Sequence, residues 1–206
     1  MKRIFILIQV CFLISMSASL GQNLFFGLKS GLNLNSIHQS GFQEGTLPRK
    51  NDYVGVNAST WIGYKIDNKT RLSFEPGYIL KGAAFEGSSD VLRLHYVDMP
   101  LLFEYLIAKN VNLVVGPNLS YLLNAKISSE SENSVVNDLY NKKAEISGVL
   151  GLSYDVSFFM DIGVRYNMGF SNISDITLIN DVGAPYGQIH EKNRYLQFLI
   201  RLKIAN

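Results

Sequence analysis

Strict two-residue alternation recurs along most of this chain and constrains its fold more than any other feature. Leu24, Phe26, Leu28, Leu32 and Leu34 interleave with Gly27, Lys29, Gly31, Asn33 and Asn35. Successive side chains of a strand point to opposite faces, so the pattern predicts a strand with one apolar face and one small or polar face. Seven further segments repeat it, over 54–66, 72–80, 97–105, 113–123, 146–154, 160–168 and 196–204. No long segment keeps a helical period. None after residue 21 has the ~20 apolar residues of a membrane-spanning helix.

The strands are long. At ~10–14 residues each they exceed the ~5–6 typical of soluble sheets and suit a tilted bilayer crossing. Eight is the smallest strand number among outer-membrane barrels. The predicted fold is therefore all-β, an eight-stranded antiparallel up-and-down transmembrane β-barrel. Pro76 falls inside the third segment, where it demands a bulge or a missing ladder bond.

The connections alternate in length as well. Those after the second, fourth and sixth strands are short, at 67–69, 108–110 and 155–157, whereas those after the first, fifth and seventh span 36–52, 127–141 and 171–193. Outer-membrane barrels have short periplasmic turns and long outer loops, which predicts periplasmic termini.

A soluble barrel of the lipocalin type would turn the apolar face inward. Here the apolar faces carry almost no charge at their centres, while the opposite faces mix both signs of charge with Gly, Ser and Asn, which suit a crowded lumen. Aromatic residues also fall near both strand ends. Tyr64, Tyr105, Tyr154 and Phe158 lie toward the short turns, and Tyr96, Tyr121, Tyr166 and Phe170 toward the loops. Two such girdles are expected where rings meet lipid head groups.

Residues 1–21 read as an export leader. Met1, Lys2 and Arg3 precede an apolar run from Ile4 to Ile14 broken only by Gln9, and small residues follow to Gly21. The run is too short to span a bilayer. Cleavage is expected before Gln22, which predicts export through the general secretory route and a barrel domain over 22–206. Cys11 falls in the leader, so the mature chain has no thiol chemistry. A formal charge of +2 gives no bias toward nucleic acid.

Five strings fall along this frame in order: GLKSGLNLNS from Gly27, EPGYILKGA from Glu75, YVDMPLLFEY from Tyr96, VGPNLSYLLNAK from Val115 and GVRYNMGFSNI from Gly163. Together they resemble the Bacteroidota outer-membrane β-barrel family often called PorT-like. The resemblance implies a small monomeric barrel and, for the family's namesake, a role in type IX secretion. The partners expected on this basis are outer-membrane lipid and other envelope or secretion proteins, met through loops or periplasmic turns.

The chemistry on offer lies inside. Glu75, Lys81, Asp98, Glu104, Glu145, Arg165 and Arg201 are the candidate lumen charge network, with Lys29, Lys65, Arg71, Asp155, Asp161 and Lys203 on the same inward faces. An eight-stranded lumen is only wide enough for its side chains to fill. Charges there must pair or stay hydrated, because an unpaired buried charge costs several kcal/mol. The expectation is a salt-bridge plug whose closure rests on pairing rather than on a loop; the alternative is a path for ions or small solutes.

His38, His95 and His190 lie in or beside loops without metal-ligand spacing, and no phosphate loop or nucleophile motif follows the leader. The reading is thus a non-enzymatic barrel without cofactor or metal. Its expected role is structural or protein-interacting, extending to an accessory part in secretion, with a small pore as the alternative. The loops 127–141 and 171–193 are long enough to present a binding surface.

Overall fold

The computed structural model describes residues 23–41, 50–129, 133–140, 142–179, 183 and 185–205. The expected leader and its cleavage point lie outside the described residues. Among those described, the strands are β1 (Leu24–Ser40), β2 (Lys50–Asn51), β3 (Tyr53–Lys65), β4 (Thr70–Phe74), β5 (Gly77–Phe85), β6 (Val91–Ala108), β7 (Val111–Ser128), β8 (Asn133–Val135), β9 (Ala144–Asp155), β10 (Met160–Gly169), β11 (Ser174–Ile179) and β12 (Pro185–Ala205).

All pairing is antiparallel. β1 pairs with β3, β3 with β4 and β5, these with β6, then β6 with β7, β7 with β9, β9 with β10, β10 with β12, and β12 with β1 again. The circuit returns to its start. Eight staves therefore close into a barrel whose wall has no free edge.

β4 and β5 form one stave broken at Pro76. Ser59 pairs with Gly77 on one side of the break and Ile62 with Phe74 on the other, in unchanged register. The proline thus removes one ladder bond and adds no bulge. Thr60 supplies both donors that reach the Pro76 carbonyl, its N–H and its Oγ1, each at 3.1 Å. The wall's register shifts lie elsewhere, at Phe26/Gly27 of β1 and at His95/Tyr96 and Leu106/Ala108 of β6. His95 faces Asn124 while Tyr96 faces Leu122, so Leu123 is the extra residue of β7. Beyond it the inward phase changes parity, from Leu122 to Ala125.

The faces divide as the alternation predicts. Leu28, Leu101 and Leu150 are 52%, 52% and 58% exposed, whereas Lys81, Glu104 and Arg201 are 0% exposed. Greasy side chains outside and charges inside are stable only where lipid, not water, surrounds the barrel. Tyr64, Tyr105 and Tyr154 face outward at the short-turn end, and Tyr121, Tyr166 and Phe170 at the other. Tyr96 is a correction: it points inward and is fully buried. It shares the phase of Asp98 on β6, so its ring packs in the lumen instead of meeting head groups.

Strands also reach further than the alternating segments suggested. β1, β6, β7 and β12 run to 17, 18, 18 and 21 residues. At ~3.4 Å per residue they rise above a ~25 Å apolar band even when tilted. Residues 36–40 and 185–193, expected as loop, are strand, and β11 extends the sheet by pairing with β12.

Candidate functional site

Side chains from opposite walls meet at the centre of the barrel. Glu75, between β4 and β5, accepts from Lys29 Nζ at 2.8 Å, from Arg165 at 2.6 and 2.9 Å, and from Arg201 Nη1 at 3.1 Å. Glu104 of β6 accepts from Arg201 at 2.5 and 3.1 Å and from Arg71 Nη2 at 2.8 Å. Arg201 Nε donates to Asp161 at 2.7 Å, and Arg71 Nη1 to Asp155 at 3.3 Å. The group holds four cations and four carboxylates, so its formal charges cancel. Arg165 stands four staves from Glu75, and Arg201 four from Glu104, which places each pair across the full lumen. The Arg201 guanidinium also lies 4.3 Å from the centre of the Trp61 ring.

A second group lies toward the long-loop end. Lys81 Nζ donates to Glu145 at 3.2 Å and to Ser120 Oγ at 3.1 Å, with Asp98 at 3.8 Å. The Tyr96 and Tyr195 rings lie 4.5 and 5.0 Å from the same ammonium. Asn193 and Asn118 donate to Glu145 and Asp98 at 2.7 and 2.9 Å. The seven residues singled out in the sequence therefore fall into two sets: Glu75, Glu104, Arg165 and Arg201 in one, Lys81, Asp98 and Glu145 in the other. Among the described residues no ion pair links the sets directly.

Above the second set the lumen turns apolar. Ile79, Leu92, Leu94 and Leu122 form an apolar core closed by Tyr140 and Ile173, which come from the 127–141 and 171–193 connections. Closure thus involves loop residues, unlike the pairing-only plug read from the sequence. The inward positions of β6 above Tyr96 are leucines, and an apolar lumen is covered by apolar side chains.

A third ion pair seals this cap. Glu191, fully buried, accepts from Lys50 Nζ at 2.5 Å, Gln39 Nε2 at 2.9 Å and Tyr140 Oη at 3.3 Å. Burial and the Glu191 carboxylate push the Tyr140 phenol up. Sequence reasoning missed Glu191 and Lys50 because both were assigned to loops. Carrying the inward phase back from Arg201 through Gln197, Tyr195 and Asn193 would have reached Glu191.

Outside the wall, His190 Nδ1 and Asp175 Oδ1 are 2.7 Å apart, and Lys142 binds the same carboxylate. These contacts, the lysine's foremost, hold the Asp175 carboxyl at about 2. At the short-turn end a cavity of about 380 Å³ opens beside Trp61, Lys65, Asp155, Asp161 and Lys203.

A closed barrel with this inverted distribution of charge matches a known family. The model of the outer membrane protein beta-barrel domain family covers residues 17–175. The chain belongs to this family. No curated protein matches it in sequence. Among solved structures, Neisserial surface protein A is 16% identical, with a TM-score of 0.53 over 87% of this chain and 97% of its own. Ail, the attachment invasion locus protein of Yersinia pestis, is 14% identical, with a TM-score of 0.45 over 88% and 100% of the two chains. OprG of Pseudomonas aeruginosa is 11% identical, with a TM-score of 0.44 over 89% and 97%. At such identity the likeness to Neisserial surface protein A concerns the fold alone. As an outer membrane protein beta-barrel domain, the chain sits in the outer membrane with its apolar face toward lipid.

Proposed function

We propose that this protein is a monomeric, non-conducting barrel that acts through the surfaces at its two ends. The observation that carries the reading is the filled lumen: cross-wall ion pairs occupy one half and an apolar core capped by Tyr140 and Ile173 the other. A barrel without a passage leaves its rims and turns as the places where selection can act. In this reading the short turns are periplasmic and the β11–β12 hairpin is extracellular. Accessory service to a secretion machine, which the PorT-like resemblance implies, is the partner-specific form of the same proposal.

Single cysteines at Asn68 and Gly183 test the orientation. An impermeant thiol reagent on intact cells should label the second only. Crosslinking from those positions should then trap an envelope protein at one rim or the other. Recovery of the barrel alone from both would count against an interaction role.

The polar column from the short-turn mouth to Glu145 supports a second reading, a solute path gated by the apolar cap. Liposome swelling separates the two, since a gated pore admits sugars once Tyr140→Ala opens the cap.

A further inference from the structure

We propose that two basic patches on the outer wall bind the phosphate-bearing head groups of outer-leaflet glycolipid. The inference rests on the orientation proposed above, which puts the long-loop end outside.

The patches emerge from the register. Every outward-facing Lys or Arg of the described strands lies toward the long-loop end: Arg93 on β6, Lys126 on β7, and Lys192 and Arg194 on β12. The outward faces at the short-turn end carry none. Arg93 faces Lys126 directly across the ladder, and His38 faces Lys192. The like charges of Arg93 and Lys126, directly opposed, destabilise the sheet. None of the four cations has an ion-pair partner among the described residues. The one outward acid of these strands, Asp175, is already taken by Lys142 and His190. Glu86 and Asp90, in the β5–β6 turn, pair with neither cation, and Asp98 faces the lumen.

Height matches the head-group layer. Tyr121 of the outer girdle pairs with Val97, and Arg93 lies four residues beyond Val97 on the same strand. With the strand rise and tilt of a barrel this puts the guanidinium about 10 Å above the girdle, beyond the hydrocarbon. Arg194 lies two residues beyond Leu196, the partner of Tyr166. Below the first patch, the Tyr78 hydroxyl and His95 Nδ1 are 2.6 Å apart on the outer face, continuing polar contacts toward the acyl boundary. Arg93 and Lys126 at cross-strand spacing, and Lys192 and Arg194 two residues apart on one face of β12, can each hold one phosphate, with the guanidinium able to offer two parallel donors. β1–β12 and β6–β7 lie on opposite sides of the ring, so two lipids are held independently.

The test is co-purification of bis-phosphorylated lipid A with the full-length protein, extracted in detergent and scored by mass spectrometry. Each cation neutralised should lower retention at its own patch about fivefold, the other patch being unaffected. Arg93→Lys should keep it. Arg93→Glu is the decisive variant: it creates a cross-strand ion pair with Lys126, so it should raise the unfolding midpoint while abolishing retention at that patch. Dephosphorylated lipid A should not be retained, and millimolar inorganic phosphate should not displace the intact lipid. Equal retention of both lipids, unchanged retention in Arg93→Glu, or displacement by free phosphate would overturn the proposal. A reversed orientation would show in the cysteine labelling, not in this assay.

Discussion

Glu75 accepts four hydrogen bonds from three cations on three other staves. Glu75→Gln should leave Lys29, Arg165 and Arg201 undercompensated and cost ~3–5 kcal/mol, the penalty of breaking a buried pair. Urea unfolding in lipid vesicles measures it. Ser59→Ala, which removes a hydroxyl without a partner, should cost under ~1 kcal/mol in the same assay. Asp175 gives a pH signature. Its folded-state value of about 2 lies below the ordinary 3.8, so its contribution is full above pH 3.8 and lost as pH falls through 2. Protection of the β11 segment from pepsin should therefore hold from pH 5 to 4 and drop between pH 3 and 2. High salt should weaken it, because the contact is exposed.

At the scale of the strand, Pro76 tests whether the broken stave is tuned or merely tolerated. Pro76→Ala restores a donor opposite Thr60 in unchanged register and should stabilise the barrel by ~0.5–1.5 kcal/mol. Leu150→Arg places a charge on the lipid face of β9 and should cost ~2–4 kcal/mol, whereas Val135→Gln, on the β8 segment, should change stability by less than ~0.5 kcal/mol. The staves were legible in the sequence because lipid outside and a polar lumen inside force a period of two on residues such as Leu28 and Lys29. Their upper ends were not. Above the membrane the outward face no longer needs to be apolar, so His38 and Lys192 read as loop even though their inward neighbours Ile37 and Glu191 keep the phase. Tyr96 was misplaced for a related reason: an aromatic near a strand end suits a girdle or a lumen, and only its parity with Asp98 separates the two.

For the whole molecule, the sequence showed which charges point inward but not how they divide. Two cross-lumen sets and an apolar cap arise from the barrel's diameter and stagger, which decide that Arg165 meets Glu75 and Arg201 meets Glu104. No spacing along the chain encodes that. The cap's loop residues were equally hidden, since Tyr140 and Ile173 sit in polar stretches and gain their role only by folding over Leu92 and Leu94. Single-channel recording of the refolded protein in a planar bilayer bears most directly on the filled lumen. The wild-type barrel should show no steady current at neutral pH, while a Glu75→Ala, Tyr140→Ala double variant should show discrete openings. Steady ohmic conductance from the wild-type protein would contradict the plugged barrel.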